Sequence, residues 1–512
     1  MPAGYATSML AESVGQVGNG AMFFNVVISS MVVAPYTVAT LGSKRSMIFC
    51  MLASALAICL FALAAQQEPG SVDQWVIYTL GATMDGQVQG VLWTAQGAFF
   101  AATSELLAQG GSALPDASVA SGCQERIEEE GAEVRPQRLS SRHRSSTAES
   151  GRLDFGSSTD PPPMRRTLSR RSTLGAFSPS ACSTTSSELT RTISFGLREV
   201  IPTVADTTAV PGEVNEDAFQ EATALLAGRF AAIYLMVDVL VKLLASALQG
   251  DLLIWTAIWP TAMTFPAMFY SFAGICLAAA VATTLLTEPV RSSQGSEEHR
   301  HGKCQAAVRL WPLPQLWCLA FTNLSFGFSA GFMNGVVNAR FATQNLTFQE
   351  GSIGTLMAAT SCIAAVCSLG FGHIMRHTGK LFVVSVGAVA FAGLSASVLL
   401  CCPREANSFW GPWLVALYAL QGAGRSVYEG TNRMLFAQAF QGESSGGAFA
   451  NCTMQSGSAL FVAFLLQSYQ PSATVGAWVI LCCALLIVPG YLCSECIRER
   501  EARRSNSEPL AC

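Results

Sequence analysis

Apolar runs of about twenty residues or more recur along this chain between short polar turns. That spacing predicts membrane-crossing helices. The first run covers residues 21–40 (AMFFNVVISSMVVAPYTVAT), with Pro35 near its end, and the basic turn Leu41-Gly42-Ser43-Lys44-Arg45 leads into a second over residues 46–65. A third, from Trp75 to Phe100, has a different character. Small residues recur along it at helical spacing (Gly81, Gly86, Gly90, Ala95), so a neighbouring helix can approach closely. Asp85, Gln87 and Gln89 in the same run would be penalised by hydrocarbon and are predicted to face protein or water. Further runs cover residues 222–248 and 262–286, then 314–338, 352–375, 381–402, 410–437, 447–468 and 473–493. The pattern thus predicts eleven spans. The counterpart of the polar third run is the stretch from Trp413 to Phe440, which carries Arg425, Glu429 and Arg433.

Between the third and fourth runs the pattern stops. Residues 109–217 are rich in Ser, Thr, Pro, Arg and Glu with few large apolar side chains, too little burial to offset the entropy of ordering, so they are expected to form a disordered insert. The predicted organisation is three spans in 1–108, the insert, two spans in 218–287, a polar linker at 288–313, six spans in 314–496 and a charged, mobile tail at 497–512. Within the insert, Ser169, Ser172 and Ser194 each follow an arginine by three residues or fewer, a spacing that suits basic-directed kinases, and an added phosphate would reverse the local charge.

Composition agrees with a membrane protein. Of 512 residues, 51% are hydrophobic and only 12% charged, although about a hundred lie in the hydrophilic insert. The net charge of −4 gives no reason to expect a nucleic-acid partner. The 17 cysteines are scattered through apolar segments and are expected to be buried hydrophobes rather than a disulfide framework. No cleavable signal peptide is evident in residues 1–20. Alternating the loops puts 24 of the 30 Lys and Arg residues on one side; leaving out the insert, the count is 12 against 2. Positive charge marks the cytosolic side, so the N-terminus is expected outside and the C-terminus in the cytosol. Asn345-Leu346-Thr347 is then a glycosylation sequon in an outside loop.

The chain also repeats itself. LGSK ends at Lys44 and HTGK at Lys380; Gly86 follows the first lysine by 42 residues, and Gly422 follows the second by 42. A basic turn, one span, an outside loop and a glycine-rich polar span recur at a fixed offset, which predicts two pseudo-equivalent halves. The second half has six spans and the first five. The first helix of the first half is therefore expected either to be lost or to be encoded upstream of residue 1.

These motifs resemble a known family. LGSK after an Ala-Pro span, LWTAQG (Leu92 to Gly97), QGAGRSVYEG (Gln421 to Gly430) and AFANCTMQSG (Ala448 to Gly457) look like the Unc-ninety-three-like family of the major facilitator superfamily. The resemblance covers nearly all of the chain except the insert and the absent first helix. It implies an all-α, polytopic membrane fold and a role in regulating ion channels, potassium channels among them, or the traffic of membrane proteins. Three departures stand out. Arg425 replaces a usually acidic residue, and Cys452-Thr453 replaces Tyr-Arg. In the cytosolic turn, Gly372, Gly379 and Lys380 survive, but Arg376 takes the acidic position; in the first half Gly42 and Lys44 survive, and Ala39 takes that place. The acidic switch residue expected of a transporter is missing from both halves.

Candidate chemistry is confined to polar residues inside spans: Asp85, Gln89, Trp93, Gln96, Asp238, Lys242, Arg425, Glu429, Arg433 and Asn451 are expected around a central cavity. A charge at mid-bilayer costs about 2.5–3.5 kcal/mol on insertion scales, so such residues are expected to pair or to line water. Asp238 and Lys242 lie one turn apart, as do Arg425, Glu429 and Arg433, so two separate intrahelical sets are predicted that either lock the bundle or line the cavity. Asp85 has no charged neighbour in its own helix and is the candidate for a protonatable or cation-contacting group. His373 and His377 at a helix end read as interfacial rather than as metal ligands. Cys493 and Cys496 form a lone pair suited to reversible acylation. No metal-ligand set, phosphate-binding loop or nucleophile elbow is found, so neither a cofactor nor catalysis is expected. The expected surroundings are the lipid bilayer, with a channel or receptor as partner, or a small solute or ion if the alternative of a proton-coupled secondary transporter holds.

Overall fold

Inside a bilayer each segment must satisfy its own backbone N–H and C=O groups, so apolar runs close into helices. The computed structural model describes residues 6, 10–110, 216–248, 264–286, 306–342, 353–401, 410–469 and 472–507, and among these the secondary structure is helical. The helices are α1 (Glu12–Ile28), α2 (Ala34–Ala64), α3 (Val72–Gly110), α4 (Glu216–Leu248), α5 (Phe265–Leu286), the short α6 (Ala306–Arg309) and α7 (Pro314–Cys318), then α8 (Ala320–Phe332), α9 (Ile353–Thr378), α10 (Lys380–Cys401), α11 (Leu414–Ser426), α12 (Arg433–Ala439), α13 (Ser445–Tyr469) and α14 (Ala473–Ser507).

Several helices join end to end. A π-helical turn, Ser29–Val33, links α1 to α2, so the first rod begins at Glu12 rather than at residue 21. Pro35 lies seven residues before the Gly42 bend that ends this rod. It follows the π turn, where the ladder is already displaced and a missing N–H costs least. The real bend comes at Gly42, whose φ of 77° is open to glycine and strained for most other residues. Gly379, φ 82°, makes the corresponding turn between α9 and α10. Further π segments, Met333–Ala342 and Val427–Asn432, extend α8 and join α11 to α12.

Eight stretches are long and apolar enough to cross a membrane. Among the described residues eleven rods can be traced. The first stretch, Ser13–Ala64, is two rods folded at Gly42, and two more rods are too polar to count by apolarity. Those two are α3 and the rod through α11 and α12, which carry Asp85 and the Arg425–Glu429–Arg433 set. The last rod does not stop near residue 493; α14 continues to Ser507 through the stretch expected to be a mobile tail. Of the expected insert, only its two edges, at the end of α3 and the start of α4, fall within the described residues.

The helices before residue 287 and those after residue 305 each enclose an apolar core. In the first, Phe61 meets Phe269 edge-on at 4.4 Å and Tyr78 at 5.4 Å. In the second, Phe332, Phe391, Leu414, Phe436 and Ile480 are fully buried. Two helix pairs carry much of the interface between halves. α1 packs on α13 with Phe23 stacked on Phe464, and α4 packs on α9, where Ser246 and Thr355 hydroxyls lie 2.6 Å apart. Large apolar side chains such as Leu56, Leu240, Val389 and Leu485 point outward, the surface a bilayer would cover.

Asn451 anchors the segment that joins the halves. Its Nδ2 donates to the Ala307 carbonyl at 2.8 Å and its Oδ1 accepts from Trp311 Nε1 at 2.9 Å, tying α6 to the start of α13. Asn451→Ala would remove both bonds, leaving the Ala307 carbonyl only the 3.3 Å bond from the Leu310 N–H, and is expected to lower stability by about 1–3 kcal/mol, read as thermal unfolding with a shift in tryptophan emission.

Candidate functional site

A cavity of about 290 Å³ lies between the halves. Residues from α1, α3, α4, α8, α9, α11, α12, α13 and the π segments Met333–Ala342 and Val427–Asn432 line it, so no single element makes the site.

Helix periodicity explains one wall. Asp85, Gln89 and Trp93 follow at i, i+4, i+8 on one face of α3. Gln89 Nε2 donates to Asp85 Oδ1 at 3.5 Å, and Trp93 Nε1 donates to Gln89 Oε1 at 2.8 Å. The Arg433 guanidinium sits 5.3 Å from the Trp93 ring centroid and donates to Gln96 Oε1 at 3.4 Å, joining this ladder to the other half. The adjoining face of α3 packs on α1, which explains Gly86. A Cβ at Gly86 would stand 2.1 Å from the Met22 carbonyl oxygen of α1.

The two charge sets expected to be separate form one network. Asp238 Oδ2 accepts from Lys242 Nζ at 2.8 Å, from Arg425 Nη1 at 2.8 Å and from Ser361 Oγ at 2.7 Å. The first donor is on α4, the second on α11 and the third on α9, so the carboxylate is held from both halves. Glu429 carries the chain onward. Its Oε1 lies 3.9 Å from Arg425 Nε and its Oε2 lies 2.7 Å from Arg433 Nη2. Sequence spacing reveals partners within a helix, whereas the Asp238–Arg425 pair, 187 positions apart, exists only through packing of the halves.

Asp85, Gln89, Trp93, Asp238, Lys242, Arg425, Glu429 and Arg433 all line the cavity. Gln96 reaches it only through Arg433, and Asn451 does not line it, being spent on the α6 anchor described above. Residues that pattern reading missed include Tyr234, Ser361, Gln421 and Tyr428. Tyr234 was visible in principle, four residues before Asp238 on the same face, and its ring lies 6.0 Å from the Arg425 guanidinium and edge-on to Trp93 at 5.5 Å. Gln421 was visible through the repeat, standing 41 residues after Lys380 as Asp85 stands 41 after Lys44. Phe326 and Tyr428, stacked at 3.8 Å, had no sequence signal.

The two repeated basic turns sit away from the cavity. Lys44 Nζ donates to the Thr284 carbonyl at the end of α5 at 3.0 Å. Lys380 Nζ donates to Gln220 Oε1 at 3.1 Å and to Gln438 Oε1 at 2.8 Å, so α10 is tied to α4 across the halves and to α12 within its own half. Gly372 faces Gly228 of α4, whose added Cβ would come within 3.4 Å of the Gly372 Cα. His373 and His377 meet edge-on at 5.2 Å. Cys493 and Cys496 are exposed on α14. Ser169, Ser172, Ser194 and Asn345 lie outside the described residues.

The chain is similar in fold to the proton:xylose symporter XylE, a major facilitator superfamily protein, with TM-score 0.52, 10% identity, and 95% of this chain and 89% of that one covered. It is also similar to a bacterial homologue of the iron transporter ferroportin in an outward-facing state, with TM-score 0.51, 10% identity, and 96% and 93% covered. The fold is a major facilitator fold.

In sequence, the chain is similar to protein unc-93 homolog A from Bos taurus, 25% identical over 199 residues, covering 38% of this chain and 42% of that protein. The Mus musculus protein is 27% identical over 190 residues, covering 37% and 40%, and the Homo sapiens protein is 22% identical over 255 residues, covering 47% and 53%. The matched stretches span about half or less of those relatives. No protein-family profile matches the chain. The resemblance read from LGSK, LWTAQG, QGAGRSVYEG and AFANCTMQSG is thus borne out, and the facilitator fold sets the two polar rods on either side of a central cavity.

Proposed function

We propose that this unc-93-like chain is a regulatory membrane protein, one that modulates an ion channel, potassium channels first, or the traffic of another membrane protein. What carries the reading is the Asp238 clamp. Rocking one half against the other would strip a buried carboxylate of donors on α9 and α11, and leaving a buried charge unpaired costs about 3–5 kcal/mol. A bundle so tied suits a scaffold held in one state. The absence of an acidic residue at Ala39 and Arg376 supports the same view. The reading includes a topology with the N-terminus outside and the Lys44 and Lys380 turns in the cytosol, where Cys493 and Cys496 would be open to acylation.

The test is affinity purification of the full chain from a native membrane, followed by recording of the channel recovered with it. Altered current or surface delivery when the chain is removed is the expected result; no membrane-protein partner and no change would overturn it. Cysteines introduced into the 109–217 insert should label only after the cell is opened, and labelling from outside intact cells would reverse the topology.

The cavity favours a second reading, a secondary transporter of a small solute. Uptake of labelled solute into vesicles, with its pH dependence abolished by Asp85→Asn, is the outcome that separates it from the first.

A further inference from the structure

The repeat register and the cavity lining together indicate what the cavity is built to hold. Asp85 and Gln421 occupy the same position of the repeat, each 41 residues past its lysine, and Gln89 and Arg425 occupy the next position one turn on. The register survives in three dimensions. Gly86 is pressed against the Met22 carbonyl on α1, and its equivalent Gly422 against the Thr360 carbonyl on α9, with an added Cβ 2.1 Å and 2.6 Å from those oxygens. The two rods therefore present Asp85 and Gln421 to one cavity at equivalent depth, and Gln89 and Arg425 one turn further along.

The unused hydrogen-bonding capacity at these two levels is complementary. Gln421 is buried and its Oε1 has no partner, so with the Asp85 carboxylate it makes an acceptor level that holds no Lys or Arg among the described residues. Ser54 and Gln89 lie beside Asp85, and neither carries charge. One turn on, Arg425 Nε has no hydrogen-bond partner, since Glu429 stands 3.9 Å away. The network around it holds three cations, Lys242, Arg425 and Arg433, against two carboxylates, Asp238 and Glu429. Among the described residues, one end of the cavity thus carries a carboxylate with no Lys or Arg beside it, and the adjoining end carries one cation more than its carboxylates. Aromatic rings close the sides: Trp93 edge-on to Tyr234, and Phe326 stacked on Tyr428.

We infer that the cavity binds a small zwitterion of the amino-acid class, its ammonium held by Asp85 and Gln421 and its carboxylate by Arg425, with an apolar or aromatic side chain against the ring walls. The match is electrostatic and steric. A net-neutral ligand with separated charges leaves neither the single carboxylate nor the excess cation uncompensated, and a cavity of about 290 Å³ accepts a molecule of this size. Binding does not require transport, so the inference stands apart from both readings of function: a ligand bound without uptake supports it and leaves the regulatory role intact.

The test uses the full chain in nanodiscs and three probes of similar shape, phenylalanine, phenethylamine and 3-phenylpropionate, by calorimetric titration and thermal shift. Phenylalanine is expected to bind at least about tenfold more tightly than either singly charged analogue, the worth of one charge-assisted hydrogen bond. Asp85→Asn should remove the advantage over 3-phenylpropionate. Gln421→Leu, which leaves the charge network untouched, should weaken phenylalanine and phenethylamine by about tenfold while sparing 3-phenylpropionate. Equal affinity for the three probes, no binding of any, or an Asp85→Asn protein with unchanged preference overturns the inference.

Discussion

Asp238→Asn is expected to cost about 3–5 kcal/mol of stability, measured as thermal or denaturant unfolding of the chain in detergent or nanodiscs. The substitution leaves Lys242 and Arg425 as two buried cations facing a neutral amide where one carboxylate oxygen had accepted from both, while Ser361 keeps the Met357 carbonyl at 3.3 Å as an acceptor. Lys242→Met alone should do less harm, because Arg425 and Ser361 still hold the carboxylate. Combining Asp238→Asn, Lys242→Met and Arg425→Gln is expected to recover most of the loss. A neutral cluster of similar volume avoids the desolvation that a broken ion pair leaves behind. A single Asp238→Asn variant as stable as the parent would show that the halves are not joined at this oxygen. The triple variant also probes function. If the clamp holds the regulatory state, it should restore stability without restoring partner activity.

The second large effect is steric. Gly86→Ala is expected to destabilise the bundle by about 3 kcal/mol, at the upper end for overpacking, because its methyl group would stand 2.1 Å from a backbone carbonyl that cannot swing aside. At Gly422 the clearance is 2.6 Å, again to a carbonyl, and about 1–3 kcal/mol is expected. Gly274 on α5 has nothing within 4 Å, so Gly274→Ala should stay within about 0.5 kcal/mol of the parent. Size-exclusion profiles and unfolding midpoints of the three variants give the comparison. Equal behaviour at Gly86 and Gly274 would mean that α3 does not lie against α1 as described.

What the chain alone determined is the number and character of its crossings. Backbone groups in a bilayer have no partner but their own helix, so apolar length reads directly as a rod, and the glycines at equal distance from Lys44 and Lys380 disclose the duplication. Polar residues on α3, α4 and the α11–α12 rod announce a shielded interior for the same reason, since hydrocarbon would not tolerate them. Packing decided the partners. Spacing pairs Asp238 with Lys242 within a helix, but Arg425 reaches the same carboxylate only when the two halves close on each other. Asn451 shows the limit from the other side. A buried asparagine in a motif reads as cavity lining, yet the segment joining the halves claims both ends of its amide. Hydrogen bonds between residues more than a hundred positions apart have no periodicity to betray them, and they arise here because a buried polar atom takes whichever partner the closed bundle brings within reach.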